Sequence, residues 1–176
     1  MSYLKIFFLS LISLIFLTSN LLAENKVAYI DLDKILVNTE SGKSLFKQLN
    51  NLEKLKLENL ENEEKKFKEE ENKILSTKNI LTQDEYIKKV NAFKKKITTY
   101  QKKKKAIIDS LQAKRNTEVI RFLKMTNPLI ESIMEKYSID ILIEKKNIFI
   151  AKSNTDITNI VIEDINKNIK DFEIKK

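Results

Sequence analysis

The chain has 176 residues, 42% hydrophobic and 33% charged, with 33 Lys or Arg against 25 Asp or Glu for a net charge of +8. It contains no Cys and no His, which removes disulfides, the commonest metal ligands, the usual general base and the best nucleophile; a disulfide-stapled secreted enzyme is excluded, and no motif for catalysis or cofactor binding remains. One Gly and one Pro leave no glycine-rich phosphate loop and few tight turns, so the predicted fold consists of long uninterrupted elements.

Residues 1–23, MSYLKIFFLSLISLIFLTSNLLA, combine Lys5, a mostly apolar run from Ile6 to Leu17 and a polar break at Thr18-Ser19-Asn20. This pattern predicts a secretory signal cleaved after Ala23; the apolar run falls short of the roughly 20 residues that span a bilayer. Lys26 to Asp31 (KVAYID) is a short, partly β-branched run suited to a buried strand, and Asp33 to Asn38 can form a turn of helix. Asn38, Thr39 and Ser41 offer caps for a long helix beginning near Gly42. Along it Phe46, Leu60, Phe67, Ile74 and Leu81 fall seven or fourteen residues apart, a heptad seam that thins toward Leu81. Its thinnest part, ENEEKKFKEEENK (residues 61–73), has Phe67 as its single apolar side chain. The helical pairs Glu61–Lys65, Glu64–Lys68 and Glu69–Lys73 together supply about 1 kcal/mol, far below the ordering cost of about 1 to 2 kcal/mol per residue. The stretch must therefore be held from elsewhere.

Thr82-Gln83-Asp84-Glu85 is a capping-box signature that restarts a helix at Gln83. Tyr86, Val90, Phe93, Ile97, Tyr100, Lys104, Ile107 and Leu111 then alternate spacings of four and three, the pattern of a coiled-coil seam with one lysine in it. Two helices joined by so short a turn run antiparallel, which places Phe67 between Phe93 and Ile97 and Leu60 opposite Tyr100 and Lys104. Gly42 then pairs near Arg121, and each arm has about 40 residues and a length of about 60 Å. The excess charge is local: residues 82–127 hold thirteen Lys or Arg against four acids. Lys88, Lys89, Lys94, Lys95, Lys96, Lys102, Lys103 and Lys105 are the candidate basic surface of the arm.

Asn127-Pro128 predicts a kink or a helix restart. Ile139 to Glu144 and Asn147 to Ala151 (NIFIA) read as two further strands separated by Lys145-Lys146, with Asn147 suited to the turn. Asp156-Ile157-Thr158 leads into a last helix bearing Ile157, Ile160, Val161, Ile165 and Ile169. The expected architecture is α+β: a β-rich body from residues 24–42 and 128–176, interrupted by a helical hairpin arm over 43–127 with its tip near 76–85. Val27, Tyr29, Ile141, Ile143, Phe149 and Ile150 are candidates for the core or a subunit interface. Leu60, Phe67, Ile74, Val90, Phe93, Ile97, Tyr100, Ile107 and Leu111 form the expected arm seam. Asp31 and Asp156 read as turn or capping residues. Three short strands around so small a core are marginal alone, so oligomerisation is expected.

The order KVAYIDLDKIL, TESGKSLFKQL, a long charged hairpin, NPLIESIMEKYSIDILIE, NIFIA and DIT before a short helix resembles the Skp (OmpH-like) periplasmic chaperones. The resemblance runs from Lys26 to about Lys167; it departs at Ser138, beside a Tyr where the family often has Gly, and in the Lys/Asn-rich arms. It implies a jellyfish-like homotrimer whose arms enclose a cavity, and an ATP-independent holdase for unfolded outer-membrane β-barrel proteins in the periplasm. A basic cage wall would also attract acidic clients and an anionic lipid or lipopolysaccharide surface. A structural coiled-coil spacer or scaffold of the envelope is the alternative reading. Specific nucleic-acid binding is disfavoured by two Arg only, no groove-reading motif and the export signal.

Overall fold

The computed structural model describes residues 25–175; the predicted signal segment lies outside them. In chain order the elements are β1 (Val27–Ile30), α1 (Leu32–Asn38), α2 (Glu40–Ser76), α3 (Gln83–Lys136), β2 (Ile141–Glu144) and α4 (Thr158–Asn168). Short 3-10 turns at Lys145–Asn147 and Ser153–Thr155 connect the last two. Among the described residues no helix is long and apolar enough to cross a membrane.

Each helix start has a local cause. Asp31 caps α1 by accepting from Lys34 N at 3.0 Å, and Thr39 caps α2 by accepting from Gly42 N at 3.1 Å. Thr39 also donates to the Ile35 carbonyl at 2.9 Å, which locks α1 to α2 through one fully buried hydroxyl. The corner is so tight that a Cβ on Gly42 would lie 2.1 Å from the Leu36 carbonyl oxygen. That close approach is the physical reason for the only glycine. At the arm tip, Thr82 and Glu85 form both halves of the capping box.

β1 and β2 pair in parallel, with Val27 opposite Ile141 and Tyr29 opposite Ile143. Parallel neighbours need a crossover, and here the crossover is the whole arm. Lys26 fastens the start of the pair, its backbone N–H donating to Asp140 Oδ2 at 2.8 Å and its Nζ to the Tyr137 carbonyl at 2.7 Å. Ile157 N donates to the Tyr29 carbonyl at 3.1 Å and brings the segment before α4 onto the strand. The core lies where body and arm root meet, and it gathers Ile30, Ile35, Leu45, Leu49, Phe122, Ile133, Val161, Ile165 and Phe172.

Three expectations are corrected. NIFIA is not a strand: after the expected turn at Lys145–Asn147, which has 3-10 geometry, Ile148 to Ala151 pairs with no neighbouring strand among the described residues and Phe149 is left fully exposed, so the sheet has two strands. Lys145 Nζ ties the turn to the end of β1 through Asp31 Oδ2 at 2.8 Å. Pro128 does not restart a helix, since α3 is continuous through it. A proline inside a helix costs about 3 kcal/mol, but Phe122, Thr126, Ile130 and Ile133 flank it in buried positions; each large apolar side chain among them returns about 1.5–3 kcal/mol. Val27, Ile141, Phe149 and Ile150 are exposed rather than core, and Tyr29 and Ile143 are half-buried. The core face of β1 is instead Ala28 and Ile30, one residue out of phase.

Helix α3 ends in a Schellman motif. Ser138 N donates to the Glu135 carbonyl and Ile139 N to the Met134 carbonyl, with Ser138 at φ 51°. This is the left-handed conformation that glycine adopts without strain.

Candidate functional site

The arm is the large surface that the fold presents, and its inward stripe is set by the seam. In α3, Tyr86, Val90, Phe93, Ile97, Lys104, Ile107 and Leu111 are half-buried and Tyr100 is buried, while every other residue from Thr82 to Ala113 is exposed. Along α2 and the link after it the facing stripe is Leu60, Glu63, Phe67, Glu70, Ile74, Thr77 and Leu81. The heptad reading found Leu60, Phe67 and Ile74, and missed the inward Glu63 and Glu70 between them. Glu63 and Glu70 meet Lys103 at 2.5 Å and Lys96 at 2.6 Å across the hairpin.

Tyr100 is its fixed point. Its hydroxyl, with one proton to give, lies 2.8 Å from Glu64 Oε1 and 3.1 Å from the Leu60 carbonyl oxygen. Burial and the Glu64 hydrogen bond push its pKa up to about 12. Glu64 also receives Lys104 at 2.6 Å, and the Lys104 and Tyr100 hydrogen bonds hold its carboxyl below the usual range. Glu64 therefore reaches across the hairpin, and of the three pairs expected along the helix Glu61–Lys65 is the one present, at 3.0 Å. Phe67 packs on Tyr100 with ring centroids 5.2 Å apart and edge-on to Phe93 at 6.2 Å. Outward from Tyr100 the hairpin carries an open groove of about 960 Å³ lined by Phe67, Ile74, Val90, Phe93 and Ile97, together with Lys68, Lys94, Lys104, Glu64 and Glu71.

Of the eight candidate basic-surface lysines, Lys96 and Lys103 are neutralised across the hairpin and Lys105 pairs with Asp109 at 2.9 Å. Lys88, Lys89, Lys94, Lys95 and Lys102 have no carboxylate partner among the described residues. They are the charges available to a ligand. Asp31 caps α1, and Asp156 accepts from Thr158 N at 2.9 Å. No group of three or more metal-ligating side chains occurs among the described residues.

The body carries a second feature. Val27, Tyr29, Ile141 and Ile143 occupy the alternate positions of two paired strands, so they share one sheet face. That face is apolar and partly open, with Val27 at 41% and Ile141 at 48% exposure and Tyr29 and Ile143 half-buried; Phe149 and Ile150, later in the body, are exposed as well.

The feature that the sequence reading overlooked is the C-terminal tail after α4. Residues 171–175 run extended between the roots of both arm helices. Ser44 and Gln48 of α2 and Lys114, Glu118 and Arg121 of α3 contact it. Phe172 is 2% exposed, 5.7 Å from the Phe122 ring and 4.0 Å from the Arg121 guanidinium. The alternation of Phe172 and Ile174 with charged neighbours in DFEIKK was the available signal for an extended segment.

A long antiparallel helical hairpin rising from a small body, with an open apolar groove between its helices, defines a class of binding protein with extended arms. The chain matches the family described as "Outer membrane protein (OmpH-like)" over residues 26–165 and belongs to it. Its fold is similar to the crystal structure of an OmpH-like protein from Caulobacter crescentus CB15, with a TM-score of 0.76 at 16% identity, covering 86% of this chain and 90% of that one. A comparison with curated proteins finds no match.

Proposed function

We propose that this chain is an ATP-independent holdase chaperone of the periplasm, which binds unfolded outer-membrane β-barrel proteins between its arms and keeps them from aggregating. The observation that carries the reading is the groove: an open, largely apolar surface from Phe67 to Ile97, edged by lysines and glutamates. An unfolded β-barrel strand offers apolar side chains at every second position, and a shallow groove receives them without a fixed complementary surface. Several arms acting together turn such weak contacts into retention. Family membership supports this, and a role as an outer membrane chaperone has been put forward for the Caulobacter protein. The activity is binding alone, with no cofactor.

Assembly follows from the body. An apolar sheet face continued by Phe149 at 103% and Ile150 at 84% exposure is the kind of patch that marks a protein interface. We assign it to self-association, with the homotrimer as the expected state and the arms around a shared cavity. Lys88, Lys89, Lys94, Lys95 and Lys102 give the arm an exposed basic side for acidic clients or an anionic lipid or lipopolysaccharide surface. Residues 1–23 are the export signal in this reading. A rigid envelope spacer would need a closed seam, and the half-open outer arm speaks for the holdase.

The deciding experiment dilutes a urea-unfolded outer-membrane porin into buffer with and without the mature protein and follows light scattering. Suppression near one trimer per porin is expected; unchanged aggregation at that ratio sinks the proposal.

A further inference from the structure

The contacts of the C-terminal tail follow a rule. On one edge, Gln48 Nε2 donates to the Phe172 carbonyl, and Gln48 Oε1 accepts from Ile174 N at 3.2 Å. On the other edge, Arg121 donates to the Glu173 carbonyl, and Glu118 Oε1 accepts from Lys175 N at 3.2 Å. Each arm helix thus reads one edge of an extended strand through its main-chain groups, as a neighbouring strand would. The deepest side-chain contact is the socket in which Phe172 meets Phe122 and the Arg121 guanidinium; Asp171 accepts from Ser44 and Ile174 packs on the edge of the core, while the Glu173 and Lys175 side chains are exposed.

We infer that the arm root is a binding site for an extended peptide bearing an aromatic residue, filled in this chain by its own residues 171–175 and able to take a client segment in their place. The acceptors for the strand belong to the arm helices. Glu118 is 1% exposed with the tail in place, and its carboxylate is held by Arg121 at 2.6 Å and Lys114 at 3.2 Å. Glu118 Oε1 and Gln48 Oε1 each accept a tail N–H at 3.2 Å, and an extended backbone from another chain would meet the same acceptors. The occupant is also the one segment that can leave easily. It follows the last helix, belongs to no sheet, and can peel away without opening β1, β2 or α4. Main-chain recognition suits a protein whose partners share conformation rather than sequence. The client half of the inference rests on the holdase reading; the site itself does not.

The test uses the full mature chain with Phe172→Asp, which places a charge in the aromatic socket and expels the tail. A fluorescent peptide of residues 170–176 is titrated and read by anisotropy. The variant is expected to bind it saturably and at least about tenfold more tightly than the wild type, whose own tail competes. A peptide with Phe replaced by Ala loses about tenfold, one with Glu173 and Lys175 exchanged keeps its affinity within about threefold, and Gln48→Ala in the variant weakens binding several-fold. Equal affinity for wild type and variant, no binding to either, or dependence on the exposed Glu173 and Lys175 side chains overturns the site. Circular dichroism checks the fold, and Phe172→Ala carries the same comparison if the aspartate variant unfolds. Finally, urea-diluted porin should displace the peptide from the variant. Failure to displace overturns the client half, while the scattering assay on the wild type separately decides the holdase reading.

Discussion

The root of the arm and its outer half use the same two helices and are held by different means. At the root, Leu45, Leu49 and Phe122 are 0–3% exposed, and α1, α4 and the tail cover them. Beyond Leu60 and Tyr100 nothing covers the hairpin, each inward residue is only half-buried, and carboxylates alternate with apolar groups along α2. Burial, at roughly 25 cal/mol per Å² of apolar surface, dominates the first region; in the second the seam of Phe67, Phe93 and Ile97 is only half-buried and supplies less of it, and the exposed ion pairs add about 0–1 kcal/mol each. Stability should therefore fall along the arm, so that the outer half opens locally while the root stays folded. In the proposed holdase, that gradient would separate the part that assembles from the part that yields.

The contrast can be broken at its strong end. Phe122→Ala removes a fully buried ring and should cost about 3–5 kcal/mol in global stability, read as a lower urea midpoint of the whole molecule. Acid attacks the same region by another route. Burial opposes the charge on Glu118, but its hydrogen bonds with Arg121 and Lys114 prevail and hold the carboxyl below its ordinary value of 4.5. A group depressed in the folded state stabilises above its unfolded pKa and loses that contribution as pH falls through the folded one. Amide protection of Ile174 and Lys175 should therefore decline only below pH 4.5, ahead of that of α2 and α3 at the root.

At the weak end, Phe67→Ala deletes the ring that touches both Tyr100 and Phe93. About 1–2 kcal/mol should be lost locally, since the ring is only half-buried. Hydrogen exchange should speed up from Leu60 to Tyr100 with the oligomer mass unchanged; dissociation would show that the outer arm carries the assembly. Ser138→Gly relieves the left-handed residue at the end of α3 and should stabilise the molecule by about 1 kcal/mol in a melting experiment. Lys96→Ala removes one exposed cross-hairpin pair with Glu70 and should change stability by less than about 1 kcal/mol, less still at high salt.

What was legible in the sequence followed periodicity and local caps. The spacing from Tyr86 to Leu111 marks the inward residues of α3 one by one, because on a helix with nothing else to touch burial depends on angle alone. The capping box at Thr82 and Glu85 is likewise a contact three residues long. What was not legible depended on distant partners. NIFIA has strand composition, but a strand needs a neighbour to pair with, and the sheet of this chain contains β1 and β2 alone among the described residues. Pro128 should break a helix on local grounds, and a core assembled from the other end of the chain overrides it. Glu63 and Glu70 look like solvated charges until Lys103 and Lys96 are placed opposite them. The phase of β1 was misread for a related reason: Val27 and Ala28 are both apolar, and only packing decides which of them faces in.

The parallel pairing of β1 with β2 has a consequence in time. Lys26 and Asp140 are 114 residues apart, so the sheet cannot form until the whole arm has emerged. The hairpin itself needs only the short link from Ser76 to Gln83, and contacts between sequence neighbours form early. The arm should thus be helical first, bringing the two ends of the chain together as it zips toward the root. Closure of the body, and any assembly that depends on its exposed face, would be the late and slower step.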